Sequence, residues 1–99
     1  MMLGDKITAE EAERMGMIYK WVPNEIFNEE ILKIAGTLAT MPTKGLAYTK
    51  KALQLSETSS WNEQLQNEDT LQQLAAGTED FKEGVEAFLQ KRVPLFKGK

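Results

Sequence analysis

The fold class is decided by one stretch near the end of the chain, Thr78-Glu79-Asp80-Phe81-Lys82-Glu83-Gly84-Val85-Glu86-Ala87-Phe88-Leu89-Gln90-Lys91-Arg92-Val93-Pro94. Its apolar side chains recur at helical spacing and predict one buried stripe, made by Phe81, Val85, Phe88 and Leu89. Thr78 is a favourable helix N-cap, and Glu79 and Asp80 favour the positive end of the helix dipole. Pro94 lacks an N–H group and ends the helix. The stretch therefore predicts an amphipathic α-helix.

The helix before it is predicted by a capping box. Ser60 and Glu63 have the spacing at which each side chain satisfies the other residue's free backbone N–H. We expect this helix to run from Trp61 to about Ala76, with Gly77 at its end.

A second capping box lies near the start of the chain, where Thr8 precedes Glu11. It predicts a short first helix that stops at Gly16. The following residues 17–22 are rich in aromatic and β-branched side chains, and they predict a brief extended connector that ends at Pro23.

Two further helices fill the middle of the chain. The first starts at Asn24, and its apolar face consists of Phe27, Ile31, Ile34, Ala35 and Leu38. Pro42 breaks this helix and suits the first turn of the next one, predicted from about Pro42 to Leu55. The sequence thus predicts an all-α fold of about five helices, the last three forming the main cluster, in a single domain over residues 1–99.

Composition excludes several classes of function. The 99 residues carry a net charge of -3, which gives no positive field for binding nucleic acid. They contain no cysteine and no histidine, and no spacing of metal ligands occurs, so a thiolate nucleophile, a histidine base and a metal site are not expected. No apolar run reaches the roughly 18 residues that span a bilayer, and no signal peptide is evident. A cytoplasmic protein without a membrane partner is predicted.

Other charged residues favour structural roles. The adjacent acids Glu10-Glu11 and Glu29-Glu30 point about 100° apart on a helix and do not form a catalytic pair. Glu68 lies near an apolar face, where a structural hydrogen bond is favoured over a catalytic role because no second titrating partner is nearby. Lys50 and Lys51 are expected on an exposed face; a phosphate contact is the less favoured hypothesis for them.

The C-terminal tail (residues 95–99) stands out because Lys97 and Lys99, with Lys91 and Arg92 before them, concentrate positive charge in an acidic chain. Leu95 and Phe96 are apolar residues that follow a helix terminator. They must fold back on their own domain or contact another surface, and the alternative is a frayed basic tail.

Three segments, in order along the chain, resemble one family. Ile7–Ile18 with Val22-Pro23 is similar to an "A-E-E-A…G-L-V…V-P" stretch, and Pro42–Leu53 to a proline-started helix with Lys-x-Ala-Leu. Thr78–Phe96 is similar to a "(T/S)-E-D-x-x-E-G-x-x-A-F-x-E-K-R-x-P-x-F" ending. These are patterns of the C-terminal helical region of the enoyl-CoA hydratase/isomerase (crotonase) superfamily. General likeness favours its phenylacetate-degradation branch.

The resemblance implies a helical region that packs on a spiral ββα catalytic core and mediates trimer, often hexamer, assembly. Family catalytic groups come from that core, which this sequence lacks, so no catalytic residue is assigned. Phe96 matches a tail aromatic that covers bound CoA, and Lys97 the following basic residue that contacts its phosphate or adenine. The Lys91-Arg92 pair also matches, but an ion pair with Asp80 or Glu83 is at least as good an interpretation. The substrate implied is a CoA thioester, and no cofactor is expected.

Two functions remain open from the sequence. The first is a C-terminal fragment of an enoyl-CoA hydratase/isomerase that contributes oligomer assembly and CoA cover, with its own catalytic domain and neighbouring subunits as partners. The second is an independent helical protein-interaction module. In either case we expect no enzymatic activity from this chain by itself.

Overall fold

The computed structural model describes residues 4–99, and these residues form helices joined by short turns, with no strand among them. The helices, in order, are α1 (Ala9–Arg14), a 3₁₀ turn (Asn24–Ile26), α2 (Phe27–Ala39), α3 (Thr43–Ser56), α4 (Trp61–Ala76) and α5 (Glu79–Gln90). The all-α prediction is confirmed, and most predicted helix ends lie within about two residues of the observed ones. The exceptions are α2, which starts at Phe27 and not at Asn24, and α5, which ends at Gln90, four residues before Pro94.

Both predicted capping boxes are present. The Thr8 N–H donates to Glu11 Oε2 at 3.2 Å while the Glu11 N–H donates to Thr8 Oγ1 at 3.2 Å. At α4 the Ser60 N–H donates to Glu63 Oε2 at 2.8 Å, and the Ser60 hydroxyl also donates to this carboxylate. The hydrogen bond from the Ser60 hydroxyl, and to a smaller extent the one from the Ser60 backbone N–H, lowers the pKa of Glu63.

The connector after α1 bends instead of continuing as an extended segment. Residues 17–19 form bends and residues 20–23 are irregular. An isolated extended segment has no neighbouring strand to accept and donate its backbone hydrogen bonds. Here a side chain accepts one of these backbone N–H groups. The Trp21 N–H donates to Glu13 Oε2 at 2.9 Å. Separately, an ion pair joins the connector to α2, with Lys20 Nζ 2.6 Å from Glu30 Oε2.

The chain separates into two compact units, one up to Ile34 and one from Ala35 to Lys99. In the second unit α4 packs against both α3 and α5, which confirms the predicted cluster of the last three helices. Among residues 4–99, only Leu71, Asp80 and Ala87 are buried.

The predicted buried stripe of α5 is wrong for this chain. Phe88 and Leu89 are 82% and 74% exposed, and Phe81 and Val85 are about half exposed. The covered side of α5 carries Asp80 and Ala87 instead, seven residues and therefore two turns apart. The apolar stripe stays open because no element of the second unit covers it. No helix of the described residues is both long and apolar enough to cross a membrane.

Candidate functional site at the C-terminal tail

The C-terminal tail folds back on the first turn of α5. The Lys97 N–H donates to Asp80 Oδ1 at 2.6 Å, and the Gly98 N–H donates to Asp80 Oδ2 at 2.8 Å. The Asp80 N–H in turn donates to the Lys99 carbonyl at 3.0 Å. Of the outcomes that the sequence left open for the tail, the structure shows the one in which it folds back on its own domain.

The chain reverses just after α5. Lys91 takes the left-handed conformation with φ 53°, the Arg92 N–H donates to the Ala87 carbonyl at 3.0 Å, and the Lys91 N–H to the Phe88 carbonyl at 3.2 Å. This pair of bonds is a Schellman motif, which satisfies the last helix carbonyls while turning the chain. Pro94 follows and prevents a return to helix.

Glu83 holds the segment between this turn and the tail. Both terminal nitrogens of Arg92 donate to its carboxylate, with Nη2 to Oε2 at 2.9 Å, and the Leu95 N–H donates to Oε1 at 2.7 Å. The hydrogen bonds from Arg92, and to a smaller extent the one from the Leu95 N–H, lower the pKa of Glu83 to about 2. The predicted ion pair with Glu83 is confirmed, whereas the alternative partner, Asp80, binds backbone amides.

Phe96 is half-buried against α5. Its ring lies beside Gly84, where a Cβ atom would be 3.5 Å from Phe96 Cε1. The ring forms one wall of a groove of about 390 Å³. The groove is lined mostly by apolar residues, including Pro42, Ala75, Phe81, Val85, Phe88 and Leu89. The aromatic side chain therefore completes an open apolar surface that α5 begins.

Lys97 lines a different groove, of about 260 Å³, together with acidic side chains of α5. Its neighbours there include Glu79, Glu83 and Glu86, and its positive charge adds a small contribution to the lowered pKa of Glu83. Phe96 and Lys97 are adjacent in the sequence but line different grooves, and Leu95 lines the same groove as Lys97.

The family of this chain follows from comparison with known proteins. The sequence model of the enoyl-CoA hydratase/isomerase family matches residues 1–99. The chain belongs to this family. It is 42% identical over 98 residues to the 1,2-epoxyphenylacetyl-CoA isomerase of Escherichia coli K12, covering 99% of this chain and 37% of that protein. It is 36% identical over 99 residues to the 2,3-dehydroadipyl-CoA hydratase of the same organism, covering 100% of this chain and 39% of that protein.

Solved structures of enoyl-CoA hydratases share the helical arrangement. An enoyl-CoA hydratase subunit I from Geobacillus kaustophilus HTA426 matches with a TM-score of 0.90 and 38% identity, covering 98% of this chain and 38% of that structure. The enoyl-CoA hydratase/isomerase chain described here thus spans less than two fifths of the length of these relatives.

The other charged candidates of this enoyl-CoA hydratase/isomerase chain have structural partners. Glu68 accepts a hydrogen bond from Gln64 Nε2 at 2.8 Å, as expected. Glu11 belongs to the α1 capping box, and Glu30 pairs with Lys20, whose hydrogen bond lowers the pKa of Glu30. Lys50 and Lys51 are exposed on α3. Residues 4–99 contain no group of three or more acidic, histidine or cysteine side chains that could hold a metal ion.

Sequence reasoning missed how Asp80 and Gly98 bind the tail. Asp80 was assigned a helix-dipole role and a possible cationic partner, but its two acceptor oxygens meet amides seventeen and eighteen residues away. Gly98 has φ 71°, and a Cβ atom there would lie 2.6 Å from Thr43 Oγ1 of α3. A glycine within a tail that follows a helix terminator is a weak signal of such a close approach.

Proposed function

We propose that this chain is the C-terminal assembly and CoA-covering region of an enoyl-CoA hydratase/isomerase that acts on acyl-CoA thioesters. The family match over residues 1–99 and the shared helical arrangement support this assignment. The chain contributes no catalytic group, and we expect it to be inactive without a ββα catalytic domain. Its partners are that domain and neighbouring subunits of a trimer or hexamer.

The observation that carries the assembly role is the amount of apolar surface left open. Leu71 and Ala87 are the buried hydrophobic residues among residues 4–99. Large exposed side chains occur on α2, α4 and α5, and include Phe27, Leu32, Trp61, Leu74, Phe88 and Leu89. Soluble monomers rarely expose contiguous apolar patches of more than a few hundred Å². Open faces on three helices therefore fit a region that packs on other protein surfaces.

The CoA-contacting role belongs to Phe96 and Lys97. Phe96 forms the wall of an apolar groove, which suits apolar cover, while Lys97 has an exposed side chain on a backbone held by Asp80. An ammonium group on a fixed backbone suits contact with a CoA phosphate or with adenine. Acidic side chains of α5 line the same groove as Lys97.

We propose that the parent enzyme belongs to the phenylacetate-degradation branch of the family, because the relative that is 42% identical is a 1,2-epoxyphenylacetyl-CoA isomerase. The absence of a positive field at a net charge of -3 argues against nucleic acid as a partner. A cytoplasmic location, no membrane partner and no cofactor complete the proposal.

Replacing Lys97 with alanine tests the proposed contact. In the intact protein that carries this chain with a catalytic domain, Lys97→Ala should raise the Kd for CoA by about 3- to 10-fold, as expected for one lost phosphate contact. Phe96→Ala should raise the Kd for CoA as well. Lys6→Ala, an exposed lysine of the other compact unit, is the matched control and should leave the Kd unchanged.

An unchanged Kd in Lys97→Ala would remove Lys97 from the site. The same exposed apolar faces suit an independent helical interaction module, the second function open from the sequence. A coding region that continues upstream into a ββα domain favours the enzyme, whereas a stop codon directly before Met1 favours the module.

A further inference from the structure

The strongest unexplained feature of the second unit is the buried carboxylate of Asp80. It is 2% exposed, and each of its oxygens accepts a backbone N–H from the tail, at 2.6 Å from Lys97 and 2.8 Å from Gly98. A buried charge is costly unless it is hydrogen-bonded, and here the two amides supply that compensation. The carboxylate therefore binds one specific pair of residues in the tail.

The position of Asp80 on α5 is itself fixed. It lies in the first helical turn after the N-cap Thr78, where the helix dipole favours a negative charge. Its own N–H donates to the Lys99 carbonyl at 3.0 Å. One residue of a regular helix thus makes three hydrogen bonds to three consecutive tail residues, 97–99.

This bonding pattern determines the register of the tail. With the Lys97 and Gly98 amides on Asp80, the Phe96 ring lies beside Gly84 and the Lys97 side chain lies in the acidic groove. A shift of one residue would exchange the two sides, because Leu95 and Lys97 line one groove and Phe96, between them, lines the other. Glu83 fixes the tail two residues before Lys97, where its carboxylate accepts the Leu95 N–H at 2.7 Å.

We propose that Asp80 is a positioning residue for CoA binding, which holds the backbone of Lys97 so that its side chain and that of Phe96 are presented on opposite sides of the tail. This inference rests on the proposed contact of Lys97 with CoA. Asp80 does not touch the ligand and acts through the tail.

A double-mutant cycle in the intact protein tests the inference, with CoA as the probe. Asp80→Asn keeps the side-chain shape but replaces one acceptor oxygen with an NH₂ group that faces a backbone N–H. We expect amide hydrogen exchange at Lys97 and Gly98 to become at least about 10-fold faster. The Kd for CoA should rise at least as much as in Lys97→Ala, because the Phe96 ring is released as well, and the double variant should lose less affinity than the sum of the two single losses.

Two further variants test whether the effect on CoA binding comes from the tail. Gly98→Ala keeps Asp80 but places a Cβ atom at φ 71° and 2.6 Å from Thr43 Oγ1, so it should loosen the tail and weaken CoA binding in the same direction. Asp69→Asn changes an exposed aspartate that accepts a bond from Gln73 at 2.8 Å on α4, and it should alter neither exchange in the tail nor CoA binding.

The outcomes separate the two proposals. If Lys97→Ala leaves the Kd for CoA unchanged, the contact and the positioning role both fail. If Lys97→Ala weakens binding while Asp80→Asn does not, or if the two effects add fully, only the positioning role is overturned. Faster exchange in the tail together with non-additive losses of affinity supports it.

Discussion

Two acidic residues of α5, three positions apart, bind different partners. Asp80 is buried and binds the tail amides, whereas Glu83 is only partly exposed and binds Arg92 and the Leu95 N–H. In the sequence both are acids of an amphipathic helix that precedes basic residues, and either one was a plausible partner for Arg92. The structure separates them because the chain reversal after Lys91 brings Arg92 back to Glu83 and brings the tail amides to Asp80.

The lowered pKa of Glu83 predicts a pH-dependent contribution to stability. The carboxyl titrates at about 2 in the folded chain against an ordinary value of 4.5, so its contribution is present above about pH 4.5 and is lost as the pH falls toward 2. Glu83→Gln should therefore lower the urea midpoint most at pH 7, and the difference from the wild type should shrink between pH 4.5 and pH 3.

Urea unfolding at pH 7, 4.5 and 3 measures this difference. Glu86→Gln is the control, because Glu86 is 67% exposed and lies 4.0 Å from Arg92, and its effect should be small at every pH. A loss of stability in Glu83→Gln that is equal at all three pH values would contradict the assigned cause.

At the scale of the element, α5 ends at a residue with an unfavourable backbone conformation. Lys91 occupies a left-handed position with φ 53° that glycine commonly fills at a helix end. A side chain with a Cβ atom costs about 1 kcal/mol in that conformation. The Schellman hydrogen bonds and the tail hold the residue there despite this cost.

Lys91→Gly should therefore stabilise the chain by about 0.5–1 kcal/mol, since it removes the Cβ strain and keeps both backbone hydrogen bonds. Thermal or urea unfolding gives the measurement. Lys82→Gly, at an exposed position inside the same helix, is the matched control and should destabilise by about 1 kcal/mol. Destabilisation by Lys91→Gly would show that the lysine side chain makes a stabilising contact that outweighs the strain.

At the scale of the whole molecule, the apolar faces exceed what residues 4–99 cover. Phe88 is 82% exposed and Trp61 is 79% exposed, although both belong to regular, well-capped helices. The helices form from local signals, while their apolar faces need surfaces that the described residues do not supply.

Isolated, the 99-residue chain should consequently self-associate. Sedimentation across a concentration series should show a mean mass that rises above that of the monomer. Phe88→Ser should weaken this association by removing an exposed aromatic residue from the α5 stripe, whereas Gln54→Ser, on the exposed surface of α3, should not. A strictly monomeric chain at high concentration would contradict the prediction.

The sequence by itself determined the helices, their caps and the family, because these depend on residues a few positions apart. Thr8 with Glu11 and Ser60 with Glu63 specify helix starts locally, and Pro42 separates α2 from α3. Only the tertiary structure decided which face of α5 is covered, that the tail is ordered, and that Phe96 and Lys97 line different grooves. The physical reason is that a buried carboxylate takes whichever donors the folded chain brings to it, and for Asp80 these donors lie seventeen and eighteen residues away.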